Sequence, residues 1–256
     1  MTAVGQRPGV AILDAAATAA NGPAFRSRVL ELLRERVPFE AACLGTTEPT
    51  SMLPTSLTTL GYEGAEVYAA VLDIEYGPGP EPGTFHTMRG RTVPVRTHRE
   101  ATGGRHRSDR YWAEVLAPNG LDHEVRMIFR GPDRLAWGAC TLARSGADFT
   151  DTETASPAAV LADVAEGLRA PLLRDWATPD GGSPRPDGPA VVVLDAAGGI
   201  ETCSPAALDY LERLGWGSPD QPLASVPAVV AAGWLRGSGG LSGSWRWRTV
   251  DGTWVL

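Results

Sequence analysis

The sequence predicts an α+β fold in which an antiparallel sheet is flanked by helices. Glu124–Arg130 and Arg134–Arg144 are apolar-rich runs joined by Gly131-Pro132-Asp133, which is typical of two strands connected by a turn. Thr150 and Glu153 then have the spacing of a capping box, which marks the start of a helix. Apolar residues recur at helical spacing after it, at Val160, Leu161, Val164, Leu168 and Leu172.

Further elements are expected before this segment. Apolar periodicity predicts helices at Val10–Ala20, Ala24–Arg36, Glu63–Tyr76 and Tyr111–Leu116. Strands are predicted at Phe39–Thr46, Leu53–Leu60 and Val93–Arg96. In the helix after the capping box, Ser156-Pro157 is expected to reset the helix start with Ser156 as the cap, and Pro171 to kink or stop the helix.

A polar stretch rich in Gly and Pro, Thr178–Pro189, marks the predicted domain boundary. The predicted organisation is a first domain at 1–174, a flexible linker at 175–189 and a smaller α+β domain at 190–256. Elements expected in the second domain are strands at Ala190–Asp195 and Ile200–Cys203, a helix beginning at Ser204-Pro205 and a helix at Val226–Leu235.

The last residues, Ser244–Leu256, are predicted to form a hairpin around Asp251-Gly252. A two-residue loop would pair Thr249 with Trp254 and Trp247 with Leu256. The side chains expected on one face are those of Trp245, Trp247, Trp254 and Leu256. Because the partner strand stops at Leu256, we expect the second domain to be truncated and the chain to be the N-terminal part of a longer protein.

Composition excludes several functions. The net charge of −7 argues against a chain that coats nucleic acid. All 23 basic residues are arginine, so a P-loop lysine, a Schiff-base lysine and a Ser-Lys pair are impossible. The three cysteines form no C-x-x-C pair and are predicted to be free buried thiols. With no apolar run of about 18 residues and no secretory signal, a cytoplasmic protein without a membrane span is expected.

No motif predicts catalysis or metal binding. The four histidines have no H-x-x-x-H or H-x-H spacing and are interpreted as ordinary surface or loop residues. Asp122 and Glu124 flank His123, but along a strand they would alternate with it across the sheet. The arginine-rich region between Arg89 and Arg110 is interpreted as a solvated surface rather than an anion site. We therefore predict no enzyme, no catalytic residue, no metal and no cofactor.

Several longer stretches resemble the N-terminal sensor region of bacterial LuxR-type helix-turn-helix transcriptional regulators, which looks like a GAF domain. They are RVPFEAACLGTTEPTSMLPTS (Arg36–Ser56), REATGGRHRSDRYWAEVLAPNGLDHEVRMIFR (Arg99–Arg130), WGACTLARSGADFTDTE (Trp137–Glu153) and LADVAEGLRAPLL (Leu161–Leu173). The run VVVLDAAGGIETCSPAALDYL is similar to the start of a PAS-like domain, which assigns 190–256 to an incomplete PAS-like α+β domain.

The resemblance implies a sensory region that binds a small molecule or a protein partner and controls a DNA-binding helix-turn-helix absent from this chain. Candidate ligand-contacting residues, chosen by their position on predicted elements, are Trp112, Phe129, Trp137 and Cys140; ordinary core packing is the alternative. Two other functions remain open. One is an interaction module without a ligand, in which terminal helices form a homodimer, and the other is a hydrolase.

Overall fold

The computed structural model describes residues 8–47, 49, 52, 54–62, 65–76, 81–177, 189–194, 200–213, 247–248 and 254–255. The chain divides into two compact units. The first comprises Met1–Tyr62 and Pro82–Ala177, and the second comprises Glu63–Glu81 and Thr178–Leu256. The predicted domain boundaries stay a prediction, and most of the linker at 175–189 lies outside the described residues.

A five-stranded antiparallel sheet forms the centre of the first unit. Its strands are β1 (Ala41–Thr47), β2 (Pro54–Leu60), β3 (Val95–Thr97), β4 (His123–Arg130) and β5 (Ala136–Arg144). They lie in the order β2-β1-β5-β4-β3. The two longest strands, β4 and β5, are the predicted hairpin, and nearly all of their residues are buried. Mixed helix and antiparallel sheet confirm the α+β class that the sequence predicts.

Six α-helices accompany this sheet within the described part of the first unit. They are α1 (Pro8–Thr18), α2 (Gly22–Arg34), α4 (Phe85–Met88), α5 (His98–Ala101), α6 (Asp151–Ala158) and α7 (Leu161–Ala177). Asn21 caps α2 by accepting a hydrogen bond from the Ala24 amide, which satisfies one free N–H of the first turn. The predicted helix near residue 111 is a π-helical segment, Trp112–Leu116.

The proline effects predicted after the capping box are partly wrong. The box itself is confirmed, since Thr150 and Glu153 satisfy each other's backbone amides. Ser156 is not a cap, however, because α6 runs from Asp151 through Pro157 and a break follows at residues 159–160. Pro171 does not stop α7, which continues to Ala177. A proline removes a single helical hydrogen bond, and the packing of α7 on α1 and on the sheet outweighs that loss.

The strand register separates the sheet into two faces. Met127 pairs with Cys140, and Gly138 lies so close to Leu168 of α7 that a Cβ there would collide with it. On this helix face, Arg26 of α2 also donates hydrogen bonds to side chains of β2. Glu124, Arg126 and Ile128 alternate with these residues and lie on the opposite face. That second face is covered by part of residues 82–122, which we call the cover segment.

The described part of the second unit contains α3 (Ala65–Tyr76), α8 (Pro205–Arg213) and two small hairpins. One hairpin pairs β6 (Val192–Leu194) with β7 (Ile200–Cys203). Ser204 accepts a hydrogen bond from the Ala207 amide, which confirms the predicted start of α8. The helix predicted at Val226–Leu235 and the turn at Asp251-Gly252 lie outside the described residues.

The register predicted for the last hairpin is wrong. Strands β8 (Trp247–Arg248) and β9 (Trp254–Val255) pair Trp247 with Val255 and Arg248 with Trp254. The prediction assumed a two-residue loop, and the observed pairing is shifted by one residue. A shift of one residue moves a side chain to the other face of the hairpin. Trp247 and Trp254 therefore lie on opposite faces. Trp245 and Leu256 lie outside the described residues.

Candidate functional site

Three of the four residues predicted to contact a ligand are not on the cover segment. Phe129 and Cys140 are fully buried in β4 and β5, on the face packed by α2 and α7. Trp137 occupies the irregular position at the start of β5, where its ring lies 5.9 Å from the guanidinium of Arg169 in α7. Trp112 belongs to the cover segment. The structure thus brings three of these residues near α7 and places the fourth apart from them.

A buried ion pair lies beneath the cover segment on β4. Glu124 is 0% exposed and Arg126 3% exposed, and the Glu124 Oε1 to Arg126 Nε distance is 2.5 Å. The two residues are two positions apart on one strand, so their side chains extend from the same face. The Tyr111 hydroxyl donates a hydrogen bond to Glu124 Oε2 at 2.7 Å, and the Tyr62 hydroxyl lies 3.3 Å from the same oxygen. We call Glu124, Arg126, Tyr62 and Tyr111 the buried polar cluster.

The guanidinium of Arg126 is held mainly by the cover segment. Its Nη1 donates to the backbone oxygen of Gly83 at 3.0 Å. Its central carbon lies 4.1 Å from the ring centroid of Tyr111 and 5.4 Å from that of Phe85. Such cation–π contacts are strongest when the cation is removed from water, as it is here. The cover segment therefore supplies a carbonyl, two aromatic faces and one hydroxyl to a charged pair on the sheet.

Burial and the negative charge of Glu124 raise the pKa values of neighbouring groups. Burial and then the Glu124 carboxylate raise the pKa of the Tyr62 phenol well above its ordinary value. Burial, with a further contribution from Glu124, raises the pKa of the Cys43 thiol to about 12. Both groups are therefore neutral at physiological pH. Cys43 is not an activated nucleophile, because the thiolate is the reactive form.

The chemistry available to this cluster is recognition of polar groups. It offers a carboxylate, a guanidinium and two phenolic hydroxyls in a site that excludes water. A buried ion pair is weak evidence for stability, since an apolar pair of similar volume is often as stable. In the cover segment, moreover, the indole Nε1 of Trp112 is buried and has no hydrogen-bond partner among the described residues. A buried donor of this kind calls for an explanation, and a bound ligand is one.

Sequence reasoning missed the buried polar cluster. In the sequence, Glu124 stands out only as a neighbour of His123, and alternation along a strand correctly places the two on opposite faces. The same alternation places Glu124 and Arg126 on one face, and this was the one feature of the sequence from which the pair could have been predicted. Nothing local indicates that Tyr111 and Tyr62 meet this pair, because Tyr62 is 62 residues away from Glu124 along the chain.

A second cluster lies at the end of the cover segment. His98, His106 and His123, which we call the histidine cluster, come together although no sequence spacing relates them. The His106 and His123 ring centroids are 5.2 Å apart. His98 is 1% exposed, and its Nε2 lies 2.8 Å from Asp109 Oδ2. The interpretation of these histidines as ordinary surface or loop residues is wrong for His98 and His123, which are buried.

Comparison with known proteins assigns no family to this chain. No protein-family model and no curated protein matches the sequence. Among the described residues, no group of three His, Cys, Asp or Glu side chains is arranged to hold a metal ion. In the same part of the chain, no helix is long and apolar enough to cross a membrane. The argument for function therefore depends on the geometry of the site.

Proposed function

We propose that the chain is the sensory region of a LuxR-type transcriptional regulator and that its first unit binds a small polar molecule at the buried polar cluster. The observation that carries this proposal is the desolvated Glu124–Arg126 pair beneath a cover segment. The regulated helix-turn-helix would lie outside this chain, and a cytoplasmic location accompanies the proposal. The resemblance of several stretches between Arg36 and Leu173 to LuxR-type sensor regions is its second support.

A ligand would act by replacing contacts that the cover segment makes. Tyr111 and Gly83 bind the ion pair, and a polar ligand could take over either contact. β4 also contacts α7 through its other face. The sheet thus lies between the cover segment and α7, the helix that leads towards the predicted linker. A rearrangement of the cover segment could reach α7 through β4. Such a switch requires that the ligand bind one arrangement of the cover segment more tightly than the other.

The proposal is tested by a thermal-shift screen of the full chain against polar metabolites. A ligand at 100 times its dissociation constant stabilises the folded state by about 2.7 kcal/mol. For a unit of this size that corresponds to a shift of about 5–10 °C in melting temperature. The decisive comparison is the double variant Glu124→Leu/Arg126→Met, which should keep its fold and lose the shift.

A matched control uses an exposed pair of the same type. Arg28 and Glu31 form an ion pair on α2 whose side chains are 50% and 63% exposed. The variant Arg28→Ala/Glu31→Ala should retain the ligand shift. A ligand that stabilises the Glu124→Leu/Arg126→Met variant as much as the wild type would place its site elsewhere and refute the proposal. The absence of a shift with every compound of the screen would also count against it.

A homodimerising interaction module is the second candidate function. A groove between α1 and α7 is lined largely by small and apolar residues, namely Leu13, Ala16, Ala17, Glu166, Gly167, Ala170 and Pro171. Val10 and Leu13 on α1 are 46% and 44% exposed. Light scattering of the wild type and of Leu13→Glu separates the candidates. A dimer that Leu13→Glu converts to a monomer, together with no ligand shift in the screen, would favour the interaction module.

A further inference from the structure

The histidine cluster joins the cover segment to the sheet. His98 lies in α5 and His106 in the 3-10 turn His106–Ser108, whereas His123 is the first residue of β4. His123 Nδ1 lies 3.4 Å from Asp148 Oδ1, in the connection between β5 and α6. The His98 ring is also 5.2 Å from that of Tyr111, which binds Glu124. Residues 98–122 are therefore attached to the sheet at both clusters.

The charges around the histidine cluster are nearly balanced when the imidazoles are neutral. Three carboxylates lie around the cluster, each in contact with a histidine or an arginine. Two of them are paired with a guanidinium group. The carboxylates are Asp109, Asp122 and Asp148, with Arg99 at 3.5 Å from Asp148 and Arg107 at 3.1 Å from Asp122. With neutral imidazoles, three carboxylates against two guanidinium groups give a net charge of −1.

His106 is the member least suited to carrying a proton. Its ring nitrogens are buried and have no hydrogen-bond partner among the described residues. The groups that face it are His123, His98 and Arg107, which oppose a positive charge, and Asp148, which favours it. Burial is the largest effect, followed by His123, and the pKa of His106 lies below its ordinary value of 6.5 as a result.

We propose that the histidine cluster is an acid-sensitive attachment, which releases residues 98–122 from the sheet at mildly acidic pH and thereby uncovers the buried polar cluster. The release itself requires no ligand. Its role in controlling the access of a ligand to the buried polar cluster rests on the proposed function. Arg110 and Glu114 are exposed and pair with each other within the segment.

The direction of the pH dependence follows from proton linkage. A histidine whose pKa is lowered in the closed state binds fewer protons there than in the open state. Falling pH therefore favours the open state, beginning near the ordinary pKa of 6.5 and continuing down to the lowered pKa. One linked proton increases the opening constant by at most about tenfold per pH unit in this window.

Hydrogen exchange of the full chain, without a ligand, tests the release. Amides of Thr102, Ala113 and Leu121 are hydrogen-bonded within the segment. After correction for intrinsic exchange rates, we expect protection across 98–122 to fall by up to about fivefold between pH 6.5 and 5.5, relative to amides of β4 and β5. A protection ratio that stays constant between these pH values would overturn the proposal.

Two substitutions assign the effect. His106→Phe keeps an aromatic ring and cannot be protonated, so the pH dependence of the protection ratio should diminish. His86→Phe changes the exposed histidine of α4 and should leave it unchanged. Should His106→Phe fail to fold, His106→Gln gives the same comparison. A variant at 106 that keeps the wild-type pH dependence would overturn the assignment to this cluster, whether or not the buried polar cluster binds a ligand.

Discussion

Removing the carboxylate of Glu124 should destabilise the protein far more than removing the whole buried pair. Arg126 is 3% exposed, and Glu124→Leu removes the carboxylate beside its guanidinium. Breaking a buried ion pair in this way costs about 3–5 kcal/mol. The Tyr111 hydroxyl also loses its acceptor at 2.7 Å, which adds about 1–3 kcal/mol. We therefore expect a total loss of about 4–8 kcal/mol.

The loss should be reversed stepwise by removing the partners. Glu124→Leu/Arg126→Met replaces both charges by apolar groups, so about 1–3 kcal/mol from the tyrosine hydroxyl should remain. Adding Tyr111→Phe removes that hydroxyl and should bring the free energy of unfolding to within about 1 kcal/mol of the wild type, because the Tyr62 hydroxyl keeps its hydrogen bond with Thr141. The surface pair Arg28 and Glu31 serves as the control, since exposed pairs contribute about 0–1 kcal/mol.

Urea unfolding of the full chain, followed by circular dichroism and by tryptophan fluorescence, measures these differences. The two probes should be compared because a chain of two units need not unfold in one step. A single Glu124→Leu loss below about 1 kcal/mol would mean that the pair is solvated and not desolvated as described. A double variant as unstable as the single one would show that Arg126 does not depend on Glu124, and would refute the reasoning.

Three other substitutions test local features. A hydrogen bond from Arg144 lowers the pKa of Glu153 to about 2. The stabilisation of the folded state by this carboxylate is therefore complete above pH 4.5 and is lost as the pH falls towards 2. In Glu153→Gln, the free energy of unfolding should depend less on pH over that window. Gly138→Ala places a Cβ 2.6 Å from a backbone oxygen of the adjacent strand and should cost about 1–3 kcal/mol in urea unfolding, whereas Gly90→Ala, which has nothing within 4 Å, should cost little. Trp112→Phe removes a buried donor without a partner among the described residues and should raise the melting temperature of the ligand-free protein.

The features that could be predicted from the sequence are local ones. The capping box of Thr150 and Glu153 involves two residues three positions apart, and its hydrogen bonds follow from their identities alone. The β4–β5 hairpin and the α+β class follow from periodicity in the same way. Pro171 shows the limit of local reasoning, because packing of α7 allows the helix to continue past a residue that disfavours it.

The candidate site could not be predicted because its contacts connect distant parts of the chain. Alternation along β4 places Glu124 and Arg126 together, but the hydroxyls that complete the site come from Tyr62, just after β2, and from the cover segment. The four residues chosen as ligand contacts were aromatic or sulfur side chains on predicted elements. Three of them pack near α7, since position along a strand does not tell which face a second layer will cover.

Tyr111 connects the two clusters and makes their behaviour interdependent. Its hydroxyl binds Glu124 at 2.7 Å, and its ring lies 5.2 Å from that of His98. A ligand that binds the open cover segment and a proton that favours the same opening act on one equilibrium. Thermodynamic linkage then makes the coupling reciprocal. Such a ligand must bind more tightly at pH 5.5 than at pH 7.5, and its binding must raise the proton affinity of His106. A ligand that prefers the closed segment must show the opposite pH dependence, so the sign of that dependence identifies which arrangement the ligand selects.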